Sequence, residues 1–135
     1  MWEMTSRSSL FASGVFGFLF VALGAFGEHA LASWLQHVPD GVKRLEWWHT
    51  AAAYHGIHSL ALAFTANVLA RHRTAAATVA AAGYCIGIVL FSGSLYAMAL
   101  TGIRALAIVT PLGGIALLTA WGAIIAAAIS RPKEE

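Results

Sequence analysis

Three imidazoles within one apolar stretch are the residues of this chain best suited to chemistry. The stretch opens Glu46-Trp47-Trp48-His49-Thr50-Ala51-Ala52-Ala53-Tyr54-His55-Gly56-Ile57-His58-Ser59 and continues through Asn67, long enough to span a bilayer. On a helix advancing about 100° per residue, Trp48, Ala51, Ala52, His55, His58, Ser59, Leu62 and Ala66 share a face. Ile57, Leu60, Phe64 and Val68 fall roughly opposite. Ionisable groups at membrane depth are costly and turn towards a protein interior or a wet cavity. His55 and His58 are therefore the first site candidates.

Histidines at i and i+3 can ligate a metal or pass protons, because neutral imidazole is a common ligand that titrates near physiological pH. A metal would need further ligands, for which His29, Glu28 and His49 are the nearest chemical candidates, although His49 lies on a different face from His55. The plainer alternative ranks first: the imidazoles hydrogen-bond across helices to Ser92, Tyr96 or backbone freed by Pro111. We expect His58 to face the third helix near Ser92 or Tyr96, with Thr110 beside the proline completing the polar set. Glu28 and His29, just beyond the first helix, form either a solvated pair or a gate over the interior.

The order Ser, His and acid, a glycine-rich phosphate loop and paired intramembrane carboxylates are all missing from the sequence. Ser92 and His58 could be drawn as nucleophile and base, but no acid at membrane depth would orient them. Enzyme is the weakest class, and no cofactor or metal is implied. Tyr54, Tyr84 and Trp121 read as packing and interface anchors.

The elements that must position these groups are set by composition. With 135 residues, 59% hydrophobic and 10% charged, and a mean hydropathy of +0.74, the chain reads as one integral membrane domain. A net charge of +2, with no run of Lys or Arg, argues against nucleic acid. The lone Cys85 allows no intrachain disulfide. Four segments meet the length of a span, about 20 apolar residues, near residues 10–26, 47–70, 75–100 and 105–129. Arg7 and Ala25-Phe26-Gly27 also allow a signal-peptide reading of the first, but we expect a retained span. Arg7, Arg71, Arg73, Arg131 and Lys133 then lie on one side, with Lys43, Arg44 and Arg104 on the other. This bias favours both termini in the cytoplasm.

Within that frame, Ser8 or Ser9 should cap the first helix, whose Ser9, Ser13, Gly17, Phe20, Gly24 and Gly27 form a small-residue face for packing, expected against helix two. Leu31, Trp34, Leu35 and Val38 recur at helical spacing and predict a short interfacial helix over residues 30–37. Pro39-Asp40-Gly41 reads as a turn in which Asp40 caps the second helix, and Trp47-Trp48 marks the membrane boundary. Helix three carries Cys85, Ser92, Tyr96 and Ala99 on one face, with Gly83 and Gly87 opposite for another helix or another subunit. Pro111, followed by Gly113 and Gly114, should kink or unwind helix four about a third of the way in, with the break facing the interior.

Gly24-Ala25-Phe26-Gly27-Glu28-His29-Ala30, Tyr54-His55-Gly56-Ile57-His58, Leu90-Phe91-Ser92-Gly93-Ser94-Leu95-Tyr96 and Val109-Thr110-Pro111-Leu112-Gly113-Gly114 resemble the signatures of the transmembrane protein 256 family. The resemblance implies a bacterial inner-membrane protein of four helices and no known activity. His29 and His58 match family positions, whereas Glu28 and His55 stand where the family usually has a small residue and a glutamine.

These readings combine into an all-α integral membrane fold, an antiparallel bundle of four transmembrane helices with the short interfacial helix after the first. The function expected first is a non-enzymatic oligomeric transport or permeation unit for a small solute or ion. An accessory or assembly subunit of a larger membrane complex follows, and a histidine-based metal binder ranks last. Partners would be the lipid bilayer and either further copies or another membrane protein.

Overall fold

The computed structural model describes residues 4–129. Arg131 and Lys133, used in the charge count, lie outside that range, as do both chain ends. The described residues fold into four helices with no strand: α1 (Ser6–Leu35), α2 (Gly41–Arg71), α3 (Ala75–Thr101) and α4 (Arg104–Ile129). Helix α1 packs on α2, α2 on α3, and α3 on α4. The connection from α2 to α3 is only residues 72–74, which forces these neighbours to run antiparallel.

Helix α1 begins one turn earlier than expected. Thr5 is its cap: Thr5 Oγ1 accepts the Ser8 N–H at 3.1 Å and Ser8 Oγ accepts the Thr5 N–H at 2.9 Å. This reciprocal arrangement satisfies two otherwise free donors. Of its small-residue stripe, Ser9, Ser13 and Gly27 are buried, whereas a Cβ placed on Gly17 or Gly24, or on Gly14 outside the stripe, would meet nothing within 4 Å. Ser13, Phe20 and Gly27 meet Ser59, His55 and Trp48 of α2, so this face packs on α2 as expected, with gaps at Gly17 and Gly24.

No separate helix follows α1. A π turn at Gly27–Leu31 leads straight into Ala32–Leu35 as the last turn of the same helix. A π turn admits one extra residue without breaking the helix, and here it accommodates Trp48 of α2. A Cβ on Gly27 would collide with that indole, whose Nε1–H donates to the Leu23 carbonyl at 3.0 Å. Trp48 is therefore buried in the core instead of marking the membrane boundary.

Three of the four helices, α1, α3 and α4, are long and apolar enough to cross a membrane. Helix α2 differs in its more polar composition, of which Arg44, His55, His58, Ser59 and Thr65 are buried against neighbouring helices. The stripe read from the sequence is buried at Trp48, Ala51, His55, His58, Ser59, Leu62 and Ala66, while Ile57, Leu60 and Phe64 are exposed. Polar side chains need not face lipid when neighbouring helices cover them.

Thr74 caps α3 through the Ala77 N–H at 3.1 Å. A second π turn, Ile88–Ser92, interrupts α3. Gly83 and Gly87 face α4, where a Cβ on Gly83 would lie 2.9 Å from the Ala120 Cβ and one on Gly87 would strike Leu117. The helix packed by this pair therefore belongs to the same chain.

Pro111 does not kink α4 from within. Residues Arg104–Ile108 form a 3-10 turn, and the α-helical part starts at Thr110, so the proline occupies the first turn, where a missing N–H breaks no intrahelical bond. Pro111 itself is exposed. Gly113 is the constrained residue: a Cβ there would collide with the Phe91 backbone at the π turn, whereas one on Gly114 would meet Phe91 at an ordinary 3.9 Å.

Candidate functional site

The two core imidazoles stand on one face of α2 yet serve different neighbours. Positions three apart are about 60° apart around a helix, enough to divide them between flanking helices. His55 Nδ1 lies 3.3 Å from the Tyr96 hydroxyl of α3. Its ring meets Phe16 and Phe20 of α1 edge-on, with centroids 5.8 and 6.2 Å away. The Nε2 atom is buried without a hydrogen-bond partner of normal geometry.

His58 is tied at both nitrogens. Trp121 of α4 donates its indole N–H to Nε2 at 3.2 Å. Indole nitrogen has no acceptor lone pair, so Nε2 must be the bare nitrogen and Nδ1 carries the proton. Nδ1–H then donates to the Tyr54 carbonyl at 2.7 Å. This network assigns one neutral tautomer. Tyr84 of α3 completes the enclosure, its ring 5.9 Å from His58 and 5.5 Å from Trp121.

The expected contact of His58 with Ser92 or Tyr96 is thus replaced: Tyr96 goes to His55, and His58 reaches α4. Ser92 is buried with its hydroxyl unpartnered, as is the Tyr84 hydroxyl. Thr110 joins α3 by another route, 2.8 Å from the Ser94 hydroxyl, which also donates to the Phe91 carbonyl at 2.9 Å. Between α1 and α2, Ser13 Oγ donates to the Ser59 carbonyl at 3.0 Å.

Glu28 does not pair with His29. Its carboxylate lies 3.1 Å from His49 Nε2 of α2, with the side chains 68% and 51% exposed, and His29 is exposed as well. Such a solvated pair contributes little. Among the described residues no group of three or more His, Cys, Asp and Glu could hold a metal ion. The divergence of His55 and His58 explains why the adjacent imidazoles do not start one.

Sequence reading missed Arg44 and Trp121. Arg44 is 6% exposed. It donates from Nε to the Ala99 carbonyl at 2.7 Å and from Nη2 to the Leu100 carbonyl, capping the end of α3. Asp40 sits 3.9 Å from both Arg44 and Arg104, and the Trp34 ring lies 5.0 Å from the guanidinium. Asp40 makes no side-chain cap bond to α2 and instead bridges these two cations. The available signal was the Asp40–Arg44 spacing of four residues.

Chemically, these groups cross-link helices: a neutral imidazole between α2 and α4, a hydroxyl–imidazole contact between α2 and α3, and a guanidinium across the α2–α3 end. Comparison with known proteins agrees with a membrane location. The family described as "Protein of unknown function (DUF423)" matches residues 23–114. The UPF0382 inner membrane protein YgdD of Escherichia coli K12 is 38% identical over 126 residues, covering 93% of this chain and 92% of that protein. The UPF0382 membrane protein YwdK of Bacillus subtilis is 44% identical over 113 residues, covering 82% and 87%. A UPF0382 membrane protein of Haemophilus influenzae is 38% identical over 106 residues, covering 78% and 80%. No solved structure matches. The resemblance to transmembrane protein 256 is compatible with these matches. The chain belongs to the DUF423 family of membrane proteins, whose function is unknown.

Proposed function

We propose that this chain is a non-enzymatic accessory subunit of the bacterial inner membrane, a four-helix bundle whose outer surface associates with other membrane-embedded chains. In this reading all four helices span the bilayer, both termini are cytoplasmic, and the last turn of α1 lies at the opposite interface. The observation that carries it is the double satisfaction of His58 by Tyr54 and Trp121. A histidine with both ring nitrogens engaged by its own chain acts as a strut and leaves neither nitrogen open to a solute. Ser13–Ser59 and Ser94–Thr110 are used in the same way.

The open face of α1 supports association. Gly14 and Gly17 meet nothing in the chain, and Phe11, Gly14, Val15, Phe18 and Leu19 line a surface groove of about 370 Å³. Small residues allow close approach of a second transmembrane helix. This reading puts assembly ahead of permeation, the opposite order to the expectation from sequence. A second reading, an oligomeric permeation unit, draws support from the unpartnered polar atoms of His55, Tyr84 and Ser92.

The test is the mass of the chain extracted with its native lipid and measured by light scattering, alone and as the double variant Gly14→Ile, Gly17→Ile. A Cβ at either position has no neighbour within 4 Å, so the fold should persist, and an unfolding midpoint within a few degrees of the parent's confirms that it has. Assemblies heavier than one chain, dissolved by the double variant, are expected. Single chains of the parent protein, or assemblies indifferent to both substitutions, would sink the proposal.

A further inference from the structure

The end of the molecule carrying the start of α1 and the α2–α3 connection has a cationic surface of a different kind from the rest. Arg7, Arg71 and Arg73 are exposed there, and among the described residues none has an acidic partner, since the ion pairs involve Lys43, Arg44, His49 and Arg104. Two surface grooves meet at this end. One, of about 340 Å³, runs between α1 and α2 past Arg7 and Leu10 over a floor of Ala63, Ala66 and Ala70. The other, of about 300 Å³, is lined by Phe64, Val68 and Arg71. Asn67 lines both and forms the ridge between them. Its side-chain oxygen accepts from Arg71 Nε at 3.4 Å, holding that guanidinium over the ridge.

We propose that this surface binds one anionic diacyl phospholipid, its phosphate between Arg7 and Arg71 and one acyl chain in each groove beside Asn67. The polarity of the grooves matches that occupant. Charge stands at the helix ends, and from Ala70 to Ala63 the first groove descends about 10 Å along α2, at 1.5 Å per residue, over an alanine floor faced by Leu10. Basic pockets between transmembrane helices recognise anionic headgroups, whereas a neutral zwitterion offers two arginines no net charge. Small alanines provide space for a chain without demanding one shape. The site involves none of the histidines and is independent of the accessory-subunit reading.

Native mass spectrometry of the full chain in mild detergent tests this with dioleoyl phosphatidylglycerol, dioleoyl phosphatidylcholine and the single-chain lysophosphatidylglycerol. Phosphatidylglycerol should bind more tightly than either alternative. Arg7→Gln and Arg71→Gln should each weaken it about fivefold and together about twentyfold or more, with phosphatidylcholine unaffected. Arg104→Gln, at the opposite end, should leave the preference intact, and Ala63→Phe should weaken both diacyl lipids by filling the deeper groove. Equal binding of the two diacyl lipids, or a phosphatidylglycerol preference that survives the double arginine variant, overturns the proposal. So does displacement by equimolar inorganic phosphate, which would make this a phosphate site. A dimer lost in Ala63→Phe with lipid preference unchanged would assign the groove to a second copy and also overturn it.

Discussion

Among the described residues the two ends of this molecule carry three Lys or Arg side chains each and use them in opposite ways. At the end joining α1 to α2 and α3 to α4, Arg44 is buried against the terminal carbonyls of α3, Asp40 bridges Arg44 and Arg104, and Lys43 pairs with Glu46 at 3.0 Å. At the other end Arg7, Arg71 and Arg73 face outward with no acidic partner among the described residues. One end spends its charge on holding helices together; the other presents it to the surroundings. Under the proposed topology the end with Arg7, Arg71 and Arg73 is the cytoplasmic one, a proposal that rests on the Lys and Arg count of the sequence and not on which of them are paired. In that proposed orientation the unpaired arginines would lie at the headgroups of the inner leaflet.

The comparison breaks most visibly at Arg44. Arg44→Ala removes two charge-assisted bonds to helix-end carbonyls and should cost roughly 1.5–3 kcal/mol, read as a lowered unfolding midpoint in mild detergent. Arg44→Lys should recover little of the loss, because a point-charge ammonium does not reproduce a planar fork to two carbonyls. An Arg44→Ala protein of parental stability would show that the buried latch is not holding that end. A smaller effect sharpens the contrast between buried and exposed charge within the same end. Glu28→Gln deletes the solvated partner of His49 and should shift stability by less than about 0.5 kcal/mol, with the shift shrinking further in high salt. A loss as large as that of Arg44→Ala would mean that exposure at Glu28 is a poor guide to its role.

Much of the fold was legible because helical periodicity is local. The buried stripe of α2 could be read from Trp48 to Ala66 without knowing what covered it. What could not be read was the identity of partners. His58 could be assigned an inward direction from its helix face, but its acceptor role towards Trp121 depends on how α4 sits 63 residues away. Arg44 entered only the count of charges on each side of the membrane, because the carbonyls it binds are 55 and 56 residues distant. The π turns carry no compositional signature, so the last turn of α1 read as a separate helix. Pro111 was misplaced for a related reason: a 3-10 turn ahead of Thr110 moves it from the helix interior to the first turn, where it is tolerated.

The central claim is that the buried polar groups are struts between helices, and His58 with Trp121 is its clearest case. A double-mutant cycle on unfolding free energy, using His58→Leu and Trp121→Phe, isolates this contact because phenylalanine keeps a ring while deleting the indole N–H. The account predicts that each single change destabilises and that the pair is coupled favourably by about 0.6 kcal/mol, up to about 1.7. Additive changes with no coupling, or a His58→Leu protein as stable as the parent, would contradict it.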